Sequence, residues 1–334
     1  MSVKTIAFFN NKGGVGKTTL VYHLAWMFQE LGVGALAVDL DPQANLTTAF
    51  LREERLEELW LDGSPSGTIL GVINPLLNRL GDLRNPQVEV IGDRLGLLPG
   101  NLGLSLFEDR LAEAWPRCLQ DNPAEAHDAF RVMTAFYRAA QLASESRSAR
   151  LALIDVGPSL GALNRAALIA CDFVVMPLGA DLYSLQGLQN LGPALEQWRA
   201  GWKKRLREHV PPGLSIPSGD MKPVGYVVLQ HAVRMDRPVK AYQQWVERIP
   251  SVYHQSILNE TDIVDIPLPD PQRLASLKHY RSLMSLAQDA RKPMFLLKPA
   301  DGAIGSHAEA VADCYRDFKA LALRIAAECE IALP

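Results

Sequence analysis

The residues best equipped for chemistry lie near the start of the chain, in the run KGGVGKTT from Lys12 to Thr19. Gly13, Gly14 and Gly16 carry no side chain, so the backbone N–H groups around Val15 can crowd against polyphosphate oxygens. Lys17 is placed to reach β- and γ-phosphates, the Thr18 hydroxyl to ligate Mg²⁺, and Thr19 to touch an α-phosphate. Lys12 is a second lysine that a minimal phosphate loop does not need. Three acids complete the candidate site. Asp39 and Asp41 end the apolar run Ala35–Leu40 and, two apart on a strand, point to the same side. Asp155 ends the run Leu151–Asp155, and an acid there, beside a phosphate loop, positions Mg²⁺ or its water shell. The small-residue loop Val156–Gly161 that follows is suited to moving with a γ-phosphate.

Elements that can hold these groups are legible on either side. Thr5–Phe9 reads as a buried strand, and Leu20, Leu24, Phe28 and Leu31 recur at helical spacing up to a Gly32 stop. Further strands are expected over Val88–Ile91, Leu95–Leu98, Cys171–Leu178 and Val224–Gln230. Helices are expected over Arg52–Leu61, Thr68–Leu80, Leu104–Trp115 and Pro123–Ser146. Others should run from Ser184 to Trp202, over Val239–Ile249, from Gln272 onward, and over His307–Glu328. Strands alternating with helices predict an α/β fold with a doubly wound, mostly parallel sheet. The reading takes residues 1–334 as a single domain with a mainly helical insertion at about 50–150. The cations Lys203, Lys204, Arg205 and Arg207 form the densest basic cluster, a candidate DNA patch. Lys278, His279, Arg281, Arg291 and Lys292 make a second basic surface, expected on or after the helix from Gln272.

The 334-residue chain carries a net charge of −3, so any nucleic-acid contact must come from a local patch rather than from the whole molecule. The N-terminus opens directly into a strand without a signal-peptide layout, and no apolar run approaches membrane-spanning length. Cys118, Cys171, Cys314 and Cys329 lack metal-site spacing and read as reduced cysteines, which places the protein in the cytoplasm.

Three separated segments, KGGVGKTT at 12–19, DLDPQANLT at 39–47 and LIDVGPSLGALNRAAL at 153–168, together resemble the ParA/Soj ATPases. These form a deviant-Walker-A branch of P-loop NTPases that also contains MinD. The likeness continues through CDFVVMPLGADLYSLQGLQNL at 171–191 and loosely from Arg291 to Ile325, with 50–150 and 200–290 poorly matched. The resemblance implies MgATP binding, a homodimer closed over two nucleotides and slow hydrolysis. It also implies a ParB-like or cargo-adaptor partner, with non-specific DNA binding in the ATP state. Lys12 would be the deviant lysine that reaches the partner subunit's phosphates, and Gly13 would lie at the close subunit contact. Asp41 would orient the attacking water, Asp39 would sit in the Mg²⁺ network, and Asp155 would be the Walker B acid. Two features depart from the pattern. Val156 and Gly157 precede a single Pro158 where the family has two prolines, and no N-terminal helix-turn-helix segment is present. Adenine contacts are sought at Gln230 and in the loop Pro267–Pro271. No cysteine lies between Ile154 and Ala170, the tail is not tyrosine-rich, and the C-terminus is not a basic amphipathic helix. Iron-protein-like, tyrosine-kinase and membrane-positioning relatives are therefore set aside. An ATP-gated protein scaffold that does not bind DNA is the alternative function.

Overall fold

Burial on both faces gives the strands their near-continuous apolar runs, and the two faces separate by alternate residues. In β1 (Lys4–Phe8) and just after it, Ala7 and Phe9 enter one core, while Ile6 and Phe8 enter the other. The computed structural model describes residues 3–61, 66–229, 239–261, 266–280 and 282–334. Among these, β1 joins β2 (Ala35–Asp39), β3 (Glu89–Val90), β4 (Leu95–Leu98), β5 (Leu151–Asp155), β6 (Phe173–Gly179), β7 (Lys222–Leu229) and β8 (Arg273–Leu277) in one sheet. The order is β3-β4-β2-β5-β1-β6-β7-β8, parallel throughout except for β3.

On one face lie α1 (Lys17–Glu30), α2 (Asn45–Phe50), α3 (Glu53–Trp60), α11 (Ser282–Ala290) and α12 (Ser306–Glu328). On the other lie α4 (Ile69–Leu77), α5 (Phe107–Arg117), α6 (Pro123–Met133), α7 (Ala135–Ser146), α8 (Ala162–Ile169), α9 (Leu182–Glu208) and α10 (Val239–Ile257). The segment 50–150, expected as a mainly helical insertion, also supplies β3 and β4 to the sheet, with β4 directly beside β2. The helix expected over Pro123–Ser146 is two, broken at Thr134, whose hydroxyl donates to the Phe130 carbonyl at 2.7 Å. The helix expected from Gln272 is instead β8: its sequence RLASL tolerates either state, and pairing with β7 decides. All four cysteines are buried and unbridged. Among the described residues no helix is long and apolar enough to cross a membrane.

The end of α10 is tied to the loop before β8 by a polar cluster. His254 places Nε2 3.1 Å from Asp270 Oδ1 and Nδ1 2.7 Å from Glu260 Oε2, and Tyr226 donates to Asp270 Oδ2 at 2.7 Å. The ring of Tyr253 lies against the histidine edge-on. Partial burial lowers the imidazole's pKa, but the bonds to Glu260 and Asp270 outweigh it and leave the net shift upward. A histidine raised on folding stabilises fully below its unfolded value of about 6.5, and that contribution disappears as pH rises through the folded value. Replacing His254→Gln should therefore cost most stability at about pH 5.5, with the gap to wild type closing by about pH 9. Urea midpoints at the two pH values check this, and a gap that widens with pH would contradict it.

Candidate phosphate-binding site

Strand register assembles the site before any loop is considered. Parallel pairing sets Asp155 on β5 opposite Asp39 on β2 and opposite Phe8 on β1. The three loops that follow these strands therefore leave the same edge of the sheet side by side. This is the C-terminal edge, near the point where connections run to opposite sides of β1, and open α/β sheets bind ligands there.

The loop after β1 is pinned by Asn10, which donates to the Pro177 carbonyl at 2.8 Å and accepts from Lys12 N at 2.9 Å. Gly14 and Gly16 have φ of 70° and 80°, a left-handed backbone that glycine adopts without a Cβ clash. Gly16 is the N-cap of α1, with no side-chain cap and no acid in the first turn, so the positive end of the helix faces the loop uncompensated. Gly13 and Gly14 are exposed, whereas Val15 is fully buried and can offer a ligand only its backbone. Lys17 is buried and donates to the Lys12 carbonyl at 3.2 Å; burial lowers its pKa, against the raising charges of Asp155 and Asp41.

Thr18 donates to Asp155 Oδ2 at 2.7 Å, while Asp155 Oδ1 is buried with no hydrogen-bond partner. Burial first, and then the facing charge of Asp39, push the Asp155 carboxyl far above the usual range, with the Thr18 bond opposing. One hydroxyl and one free carboxylate oxygen suit Mg²⁺, which takes few protein ligands and fills its shell with phosphate and water. No group of three His, Cys, Asp or Glu among the described residues could cage a metal unaided. Asp39, expected in the metal network, is committed elsewhere. Its Oδ2 accepts from Thr47 N and Oγ1 at 2.8 and 2.7 Å, and its Oδ1 from Asp41 N at 3.2 Å. It braces the turn that presents Asp41. Asp41 lines the cavity, accepts from Gln43 N at 2.9 Å and packs against Gly157.

Lys12 holds its Nζ 2.5 Å from Asp181 Oδ2 and near the ring of Tyr183. Asp181 is the N-cap of α9, accepting from Ser184 N at 2.9 Å. Burial raises the Asp181 carboxyl, but the Lys12 bond and the Ser184 N–H outweigh it and hold the group below its ordinary value. Sequence reasoning missed this partner, although the D-x-x-S pattern at 181–184 is a legible helix start.

A cavity of about 790 Å³ runs from the glycine loop to Leu277, Lys278, His279 and Tyr280, which end and follow β8. Of the two adenine candidates, Gln230 lies outside the described residues. Pro267–Pro271 precedes β8 and so sits at the opposite edge of a parallel sheet; the residues after the strand line the cavity instead. His23, also on the wall, was not anticipated. Its Nδ1 lies 2.8 Å from the Thr19 carbonyl and its Nε2 accepts from Met294 N at 3.2 Å, which fixes a neutral ring with the proton on Nδ1. Burial accordingly pushes its pKa down to about 4.

The model of an AAA domain family matches residues 3–208, well over half the chain. Chromosome-partitioning ATPase Soj of Thermus thermophilus is 34% identical over 206 residues, covering 61% of this chain and 66% of that protein, just under two thirds of its length. Among solved structures, a Corynebacterium diphtheriae protein superposes with a TM-score of 0.71 at 23% identity, covering 98% of both chains. An ATP complex of a McdA variant from Cyanothece gives a TM-score of 0.63 at 15% identity, over 97% of this chain and 96% of that one. The chain belongs to the ParA/Soj family of P-loop ATPases.

The surface expected to meet DNA in a ParA/Soj chain needs correction. Arg205 is 5% exposed, donates to the Trp115 and Gly201 carbonyls at 2.7 and 2.8 Å, and lies 3.5 Å over the Trp115 ring. It is a packing residue that helical spacing turns inward, away from Lys203, Lys204 and Arg207, which stay exposed. Lys203 pairs with Asp220 at 3.4 Å. The second basic surface is similarly committed: Lys278 pairs with Asp313, Lys292 with Asp301, and Arg291 donates to the Leu51 carbonyl. Arg281 lies outside the described residues. Arg205→Ala should therefore lower stability by about 2–3 kcal/mol, as a lost buried network does. Lys204→Ala should leave stability within roughly 0.5 kcal/mol of wild type. Urea titrations of both variants separate the two roles, and equal losses would reverse the assignment.

Proposed function

We propose that this ParA/Soj chain is an ATP-driven dimerisation switch that positions DNA or another cargo. In this reading the loop N–H groups and Lys17 hold the phosphates, while Thr18 and Asp155 hold Mg²⁺. When bound, Mg²⁺ neutralises charge on the phosphate oxygens. Asp41 orients the attacking water beside the γ-phosphate, and Gly157 and Pro158 give the loop that follows Asp155 a direct view of that phosphate. Lys12 supplies its charge to the partner subunit's nucleotide, so hydrolysis waits for assembly.

The observation that carries the proposal is the make-up of the rim around Lys12. At the same edge of the sheet stand exposed apolar side chains: Leu102 and Leu106 after β4, Leu160 after β5, and Leu182 and Tyr183 after β6. Leu106 and Tyr183 are 66% and 72% exposed. Apolar groups exposed along the edge that carries the phosphate loop favour closure against a second copy. A ParB-like or adaptor protein that stimulates turnover belongs to the same proposal. The second reading, a scaffold of the same fold that ignores DNA, draws support from the buried Arg205 and the paired Lys203.

Size exclusion with light scattering tests the core claim. Wild type with Mg²⁺ and a non-hydrolysable ATP analogue should run as a dimer, and Asp41→Ala should stay dimeric in ATP. Lys12→Ala should lose turnover by about a hundredfold or more, the scale of a charge supplied in trans. A wild type that stays monomeric at saturating analogue refutes the switch. DNA co-sedimentation then chooses between the readings. If DNA is the cargo, retention requires ATP, falls steeply with salt and drops in the triple variant Lys203→Glu, Lys204→Glu, Arg207→Glu. Equal absence of retention in ATP and ADP leaves the scaffold.

A further inference from the structure

The helix after the Asp155 loop begins without a cap of its own. α8 starts at Ala162 behind Gly161, and no neighbouring side chain accepts its first N–H groups. They are taken by a residue more than fifty positions earlier. Glu108, in the first turn of α5, accepts from Ala162 N through Oε1 at 2.5 Å and from Leu163 N through Oε2 at 2.8 Å. A Cβ at position 161 would lie 2.4 Å from Glu108 Oε1, so the glycine is what lets the carboxylate approach.

Within the first turn of α8, Asn164 also holds the loop. Its amide donates to the Gly157 and Ser159 carbonyls, both at 2.7 Å. Gly157 lies against Asp41, and Pro158 lines the cavity. Beyond Glu108, α5 is anchored into the helical layer by Arg110, which donates to Asp128 on α6 at 2.9 Å and to the Leu76 carbonyl of α4. Hydrogen bonds therefore run from the Gly157 and Ser159 carbonyls through the start of α8 to Glu108 on α5, whose Arg110 ties it to α4 and α6, and Asp41 meets this chain by packing against Gly157.

We infer that Glu108 is a positioning residue for the ATPase reaction: by clamping the start of α8 it sets the loop beside Asp41 and passes the loop's nucleotide-dependent position to α5. This rests on the nucleotide reading of the site given above. A carboxylate shared by two N–H groups transmits displacement because neither bond can lengthen without losing charge-assisted hydrogen bonding. Leu102 and Leu106 precede α5 directly, so the apolar rim would move with it.

The test combines steady-state kinetics with hydrogen exchange on the full-length chain, in ADP and in the non-hydrolysable analogue with Mg²⁺. Wild type should gain protection in the analogue both at residues 157–161 and in α5. Glu108→Ala should keep the gain at 157–161, lose it in α5, and lower kcat about tenfold with KM for ATP changed less than about twofold, a size typical of coupling residues. Glu108→Gln keeps one acceptor and should recover part of both effects, and it serves as the working variant should Glu108→Ala not fold. Nucleotide-dependent protection of α5 that is equal in wild type and both variants, or unchanged kcat, overturns the inference while sparing the nucleotide site. Absence of protection at 157–161 in wild type itself would instead count against the nucleotide reading.

Discussion

Two carboxylates facing each other across adjacent buried strands are the constraint that organises this end of the molecule. Asp39 and Asp155 are register partners and both are fully buried. Placing like charges together away from water is costly unless each finds donors or a cation. The surrounding sequence divides the task. Thr47 and the Asp41 N–H quiet Asp39, while Thr18 and the nearby Lys17 serve Asp155 and leave one oxygen unmet. That asymmetry separates a bracing acid from one with capacity left for a ligand.

The same bracing explains why so many glycines and small residues collect at this edge. Thr47 Oγ1 donates to Asp39 and also accepts from Gly100 N at 2.7 Å, so the loop after β4 is drawn under the loop after β2. Glu108 and Asn164 do comparable work for the loop after β5, and Asp181 for the side chain of Lys12. Each loop at the rim is thereby fastened to an element other than the strand it leaves. Short polar contacts thus tie neighbouring strand ends to one another at this edge.

Local signals made much of this legible in the amino-acid sequence. The glycine run, the acids closing apolar strands and the β–α alternation each depend on residues close in the chain, and they foretold a parallel sheet and the grouping of Lys17, Thr18, Asp41 and Asp155. What stayed hidden depends on distant pairing. Nothing near Glu108 announces that it caps a helix beginning at Ala162, and nothing in RLASL separates a helix from a strand until β7 is beside it. Arg205 illustrates a different limit. A basic run reads as a surface, yet one position in every turn or so faces the core, and here Trp115 supplies a ring for the guanidinium to lie on. For Asp39 and Asp41 spacing alone could report only same-side geometry; the hydrogen-bond partners that hold Asp39 come from Thr47, eight residues on.

The sheet's far border has its own bearing on how copies of this chain can meet. β3 is two residues long, runs antiparallel to β4, and carries Glu89, which Arg55 grips at 2.7 Å. So brief and charged a margin gives an incoming strand almost no ladder to extend. Lateral strand-to-strand growth into fibres is discouraged on that flank.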